Sequence, residues 1–166
     1  MPDDSLPHTR SASRKLHLGF IGGGLNSAVG YTHFAATRLD GLFELVAGSF
    51  SRHHDVNQET AQRFGVDQDR CYWSTTDMLS AEAGRLDAIC ILTPTPNHAE
   101  VITAVLKAGF NVICEKAMVT STAEAGEVLA AVEASGRQLF VTFNYSGYPM
   151  VREAKAIIAS GQLGAV

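Results

Sequence analysis

Cysteine is scarce in this chain. Cys71, Cys90 and Cys114 are the only three in 166 residues, an odd number without a Cys-x-x-Cys spacing. That excludes a disulfide framework and offers no metal-ligand motif. Cys90 and Cys114 lie inside apolar runs, where a free thiol behaves as a small core side chain, so a reducing cytoplasm is the expected compartment. A basic surplus is also missing. The formal net charge is −4, which argues against a general nucleic-acid binder, because phosphate backbones call for a basic face. A local basic site for one phosphate stays open. No apolar run reaches the ~20 residues of a membrane span. Arg14 and Lys15 precede an apolar stretch as in a signal peptide, but three glycines and Asn26 interrupt it. The expectation is a soluble, intracellular protein with no membrane partner. No internal repeat or low-complexity tract follows residue 15.

What is present is the composition of an ordinary globular protein, 46% hydrophobic and 18% charged. The length suits one domain with a real core. Residues 1–15, with Pro2, Asp3, Asp4, Ser5, Pro7, Ser11 and Ser13, read as a disordered leader, leaving 16–166 as the domain.

The domain opens on its most informative feature. Lys15 to Gly24 reads Lys-Leu-His-Leu-Gly-Phe-Ile-Gly-Gly-Gly, a strand running into consecutive glycines, with an amphipathic stretch over Ser27 to Leu39. Strand, glycine turn and helix together let a backbone approach a phosphate: glycine has no Cβ to block it, and the helix N-terminus offers free N–H groups. This is a dinucleotide site on a first βα turn.

Alternation continues to the end of the chain. Phe43 to Gly48 reads as a strand, His54 to Phe64 as a helix stopped by Gly65, and Arg70 to Trp73 as a brief strand before a short helix capped by Thr75 or Thr76. Asp87 to Leu92 is a buried strand broken by Thr93-Pro94-Thr95-Pro96, and His98 to Ala108 has helical apolar spacing. Strands at Asn111–Cys114 and Gln138–Phe143 flank a helix over Thr122–Ala134, capped by Ser121 or Thr122; a last helix covers Pro149–Ser160. Six apolar strands alternating with helices predict an α/β fold, a doubly wound parallel sheet of Rossmann type, with its crevice at the carboxyl ends of the strands.

Functional residues should then follow the strands. Gly22, Gly23 and Gly24 would hold the pyrophosphate. In the usual spacing the third glycine falls at Ser27; in a loop longer by three residues it is Gly30, the register preferred here because of His33. After the second strand, Ser49-Phe50-Ser51-Arg52 has no acid until Asp55. A carboxylate there would accept from the adenosine ribose of NAD. Ser51 and Arg52 instead suit a 2′-phosphate, so NADP is favoured, with NAD still open. Thr93, Pro94 and Thr95 make a rigid bend over the crevice, with His98 either at the cofactor or on the first-turn surface; Asn97 or Thr95 is a candidate helix cap. Glu115 and Lys116 end a strand where charges do not fill a core, and a partly desolvated lysine can exchange a proton with a substrate hydroxyl. A surface ion pair is the plainer reading. Asn144 and Tyr145 could face a nicotinamide or a sugar-like substrate, or simply lead into the helix at Pro149.

With these residues placed, the chain from about Leu16 onward resembles the amino-terminal half of the Gfo/Idh/MocA oxidoreductases. The resemblance rests on Gly22, Gly24, Gly30 and His33, on Thr93, Pro94 and His98, and on Glu115-Lys116-Ala117 in the place of a Glu-Lys-Pro motif. It implies that Lys116 contacts the reacting hydroxyl and the nicotinamide region. Ala117 replaces the family's proline, which loosens the constraint on Lys116. It also implies NAD(P)-dependent oxidation or reduction of a sugar-like or polyol substrate. Family members continue into a second domain for substrate and oligomer contacts, commonly with a catalytic histidine. This chain ends at Val166, so the carboxyl-terminal substrate domain is expected to be absent and turnover by the 166 residues poor or nil. A non-catalytic NAD(P)-binding sensor or assembly module, and a domain for another nucleotide or a methyl donor, are the competing readings. A homo-oligomer is compatible with the surface that would be left apolar.

Overall fold

The computed structural model describes residues 14–165. The expected leader over residues 1–15 therefore falls mostly outside the described residues. Arg14 is held by Asp87, whose two carboxylate oxygens accept from its guanidinium at 2.7 and 2.6 Å. The same carboxylate also accepts the His17 N–H at 2.7 Å, fastening the start of the first strand to the strand beside it.

Five strands form one parallel sheet: β1 (Leu16–Gly22), β2 (Phe43–Ser49), β3 (Ala88–Leu92), β4 (Asn111–Glu115) and β5 (Leu139–Thr142), in the order β2-β1-β3-β4-β5. Helices α1 (Gly30–Leu39), α2 (His54–Phe64), α3 (Thr75–Ala81), α4 (His98–Lys107), α5 (Thr122–Ser135) and α6 (Pro149–Ala159) alternate with them. The order reverses at β1, between β2 and β3, which opens a crevice at the carboxyl ends of those strands.

Both faces are covered over β1, β3 and β4, as their apolar runs demand, whereas β5 at the edge has no buried residue and leaves Phe140 exposed. Ile89 and Ile91 of β3 face one core with Met78, Ile102, Val105, Leu106 and Val128, contributed by α3, α4 and α5. Cys90 and Leu92 face the other with Phe20, Phe50, Ala61 and Phe64, and Phe34 of α1 packs on its edge. A bulge at Val46 puts Leu45 and Ala47, two residues apart, into opposite cores. Each fully buried Ile or Phe stabilises the fold by about 1.5–3 kcal/mol. No helix among the described residues is long and apolar enough to cross a membrane.

Three expectations need correction. Arg70 to Trp73 is not a strand. Gln68–Arg70 is a single 3-10 turn, and Cys71 makes one isolated bridge to Gly48, so the sheet has five strands rather than six. The reason is lateral: Arg70 and Tyr72 direct their side chains to Glu82, whose carboxylate accepts from Arg70 at 2.8 and 2.5 Å and from the Tyr72 hydroxyl at 2.7 Å. The cap of α3 is Ser74, which accepts the Asp77 N–H at 3.0 Å, and not Thr75 or Thr76. Helix α1 begins at Gly30 rather than Ser27, because residues 24–29 form a loop closed by Ser27 N–H donating to the Gly24 carbonyl at 2.7 Å. Ser121 caps α5, accepting the Glu124 N–H at 3.2 Å.

Candidate functional site

A cleft of about 710 Å³ opens at the carboxyl ends of β1, β2 and β3. Its floor is Gly22, Gly23 and Gly24, its far wall Ser51, Arg52 and His53, and its near wall Thr93, Pro94 and Asn97. Backbone shape explains the glycines. Gly22 and Gly23 have φ of 80° and 74°, the left-handed region that side chains disfavour. A Cβ on Gly30 would collide with the Gly23 carbonyl. The longer loop register is therefore the one the fold adopts, with Gly30 as the point where helix and turn touch.

The loop is braced from α2. Gly24 N–H donates to the Phe50 carbonyl at 3.1 Å, and Leu25 N–H to the Thr60 hydroxyl at 3.1 Å. Those two donors are spent, so a phosphate would have to use others in the Gly22–Val29 segment. Ser27 lines the cleft, and its hydroxyl accepts the Val29 N–H at 3.3 Å.

The second wall hangs on a residue that sequence reasoning missed. Asn57 is fully buried. Its side-chain oxygen accepts the N–H groups of Phe50 at 2.7 Å and Ser51 at 3.2 Å, and its amide donates to the Tyr72 carbonyl at 2.9 Å. One signal was available: Asn57 and Thr60 share the i, i+3, i+4, i+7 stripe with Ala61 and Phe64, and polar residues at core positions of a helix must serve the backbone. The Ser51 hydroxyl accepts the His53 N–H at 3.1 Å. Arg52 is exposed on the cleft wall and makes no ion pair with the described residues. Among the described residues no carboxylate lines the cleft. Trp73, also missed, lines the same cleft, with its ring stacked on His54 at 3.5 Å between centroids.

On the third wall the Thr93 hydroxyl is buried without a hydrogen-bond partner among the described residues. A buried polar atom left unpaired at the edge of a cleft is a place for a ligand to bond. Thr95 sits in the single 3-10 turn before α4 and does not line the cleft. Asn97 occupies the N-cap position of α4 without a side-chain capping bond and lines the cleft instead.

Two residues expected at the cofactor are turned inward. His98 is 1% exposed, so it is neither on the cleft nor on the surface. Its Nε2 lies 2.7 Å from the Thr93 carbonyl and its Nδ1 2.9 Å from the Ala117 carbonyl. Glu115 is likewise engaged: Oε1 accepts from His33 Nε2 at 2.8 Å and from the Thr142 hydroxyl at 2.9 Å, and Oε2 accepts the Lys116 N–H at 3.0 Å. Burial pushes this carboxyl up, but the bonds from His33, Thr142 and Lys116 outweigh it and hold Glu115 below the usual carboxylate range. Below it, burial and then the Glu115 charge push the Cys114 thiol up to about 12. Burial, the Cys114 thiol and Glu115 likewise push Cys90 well up. Both remain protonated core thiols.

Lys116 is exposed at the carboxyl end of β4, so the desolvated setting expected for it is not supplied by the described residues. Asn144 and Tyr145 are exposed in the 3-10 turn after β5. These three residues stand beyond the walls of the cleft. The chain thus brings Gly22, Gly23, Gly24, Ser27, Ser51, Arg52, Thr93 and Pro94 together, with Gly30 behind them, and sets Lys116, Asn144 and Tyr145 apart on the far half of the sheet.

Known proteins resemble the chain over most of its length. The chain is 37% identical over 159 residues to the uncharacterised oxidoreductase YfiI of Bacillus subtilis, covering 93% of this chain and 40% of that protein. It is 29% identical to a levoglucosan dehydrogenase of Pseudarthrobacter phenanthrenivorans, covering 92% of this chain and 39% of that one. Among solved structures, an inositol dehydrogenase homologue from Azotobacter vinelandii, in complex with NADH and myo-inositol, superimposes with a TM-score of 0.87 at 34% identity. That match covers 92% of this chain and 41% of the other. The chain thus spans about two fifths of the length of these relatives. The profile of the oxidoreductase family with an NAD-binding Rossmann fold matches residues 16–143, and on that match the chain belongs to the Gfo/Idh/MocA oxidoreductases.

Proposed function

We propose that this chain is the NADP-binding unit of a dehydrogenase that interconverts a hydroxyl and a carbonyl on a sugar-like or polyol substrate. The observation that carries the cofactor reading is the cleft itself: a glycine floor shaped for close approach, an orphaned Thr93 hydroxyl, and a wall bearing Arg52 where a ribose-binding carboxylate would stand. A bound nicotinamide supplies the hydride acceptor or donor. The glycine floor with Ser27 receives the pyrophosphate, and Ser51 and Arg52 grip the 2′-phosphate. Thr93 and Pro94 border the crevice on the way to the reacting end, with Thr95 in the turn just beyond them.

Lys116 handles the proton. In oxidation its neutral amine takes the proton of the substrate hydroxyl; in reduction its ammonium returns one to the carbonyl oxygen. Asn144 and Tyr145 contact the substrate or the nicotinamide end. Relatives named for inositol, levoglucosan and xylose support the substrate class. The unpaired thiols support a reducing cytoplasm. Exposed Phe140, Phe143 and Tyr145 support a homo-oligomer, and equally a non-catalytic assembly module, the second reading.

Trp73 is the single tryptophan and lines the cleft, so its fluorescence should change on titration with NADP. A Trp73 signal indifferent to saturating NADP and NAD would sink the assignment of this cleft to the cofactor.

A further inference from the structure

The side chain of Lys116 makes no hydrogen bond with any described residue, yet the backbone is tied at Lys116 itself and one residue beyond it. Its own N–H donates to Glu115 Oε2 at 3.0 Å. One residue on, the carbonyl of Ala117 lies 2.9 Å from His98 Nδ1. Neither partner is free to drift. Glu115 is fixed by His33 of α1 at 2.8 Å and Thr142 of β5 at 2.9 Å. His98 is fixed by the Thr93 carbonyl at 2.7 Å. The imidazolium form of His98 donates to both carbonyls at once, whereas the neutral ring donates to one.

We infer that His98 and the His33–Glu115 pair are positioning residues that set where Lys116 points, and that His98 links Lys116 to the cofactor cleft. A lysine on a four-carbon stem has no direction of its own, and Ala117 has no ring to fix the backbone after it. Direction must then come from the backbone bonds on either side. The link to the cleft runs through Thr93: its carbonyl bonds His98 and its hydroxyl is the unpaired group at the cleft wall. A ligand that engages Thr93 acts on one end of a single ring, and the Ala117–Met118 peptide, one residue past Lys116, is held by the other. The inference rests on the reading of Lys116 as the proton-transfer residue, though the bracing can be measured without turnover.

The test follows the backbone amide resonances of the labelled 166-residue chain, with NADP as the probe, in the parent and in His98→Gln, Glu115→Gln and Thr142→Val. In the parent, NADP should displace the amides of Lys116, Ala117 and Met118 together with those of Gly22, Gly23 and Gly24. In His98→Gln the amides of 116–118 should move before any cofactor is added, and their response to NADP should be lost. The amides of Gly22, Gly23 and Gly24 should still respond to NADP in His98→Gln, which separates loss of the link from loss of binding. Glu115→Gln should shift the same three amides, and Thr142→Val, which removes one bond to Glu115 and retains side-chain volume, should shift them less. If His98→Gln does not fold, the Glu115 and Thr142 variants carry the test. Amides of 116–118 that superimpose on the parent in every folded variant, or an NADP response that survives in His98→Gln, overturn the inference. A parent in which NADP moves Gly22–Gly24 but leaves 116–118 still overturns the link to the cleft and the placement of Lys116 near the nicotinamide; the bracing is then judged on the cofactor-free shifts alone.

Discussion

The α-carbon of Gly30 packs against the carbonyl of Gly23, leaving no space for a side chain between the first turn of α1 and the glycine floor. This contact sets the depth of the cleft. Gly30→Ala should destabilise the chain by about 2 kcal/mol, because neither backbone can yield without moving the turn. It should also weaken NADP binding more than a surface substitution of equal thermodynamic cost. Urea unfolding and a cofactor titration on the same sample measure both.

On the proposed function, Arg52 is the residue that separates the two nicotinamide cofactors. A charge-assisted bond to a 2′-phosphate is worth about 1.5–3 kcal/mol, so Arg52→Ala should lower NADP affinity roughly 10- to 100-fold. NAD, which lacks that phosphate, should be unaffected. Equal loss for both cofactors would place Arg52 elsewhere on the ligand.

Thr93 offers a test with opposite signs for stability and binding. Its hydroxyl is buried without a partner, so Thr93→Val should leave the free chain as stable as the parent or slightly more stable. If the cofactor bonds that hydroxyl, the same change costs about 1 kcal/mol of binding, close to a fivefold weaker Kd. Thermal melts with and without NADP distinguish the two effects.

Much of the architecture was legible because it is written locally. Five buried runs, the stop signals Gly65 and Gly136 and the cap Ser121 mark elements that the fold contains. Arg70–Trp73 was misread because its side chains answer to Glu82, ten and more residues away, and no local pattern announces that partnership. The same limit applied at the site. That a histidine and a glutamate stand at strand ends is visible in sequence; that His98 and Glu115 turn inward to hold peptide groups depends on Thr93, Ala117, His33 and Thr142 arriving from other elements. Asn57 escaped notice for the related reason that its work is done on the backbone just after β2.

Glu82 governs the response to acid. Its side chain is fully buried, and although burial pushes its carboxyl up, the bonds from Arg70 and Tyr72 and the charges of Arg70 and Arg85 bring it below the ordinary 4.5. A folded value below the unfolded one means that the unfolded chain binds the proton more readily, so this stabilisation is full above about pH 5 and is lost as pH falls through the folded value. Glu82→Gln should cost about 3 kcal/mol at pH 7, since it leaves Arg70 without its charged partner. Its stability should also vary less than the parent's between pH 5 and pH 3. Parallel denaturant unfolding at several pH values gives both quantities.

The central claim, that the cleft over Gly22–Gly24 is built for a nicotinamide dinucleotide carrying a 2′-phosphate, is tested most directly by calorimetric titration of the purified chain with NADP and NAD in parallel. The account predicts saturable one-to-one binding of NADP, and NAD binding weaker by at least about tenfold, which is about 1.4 kcal/mol. Tighter binding of NAD, or no binding of either, would contradict it.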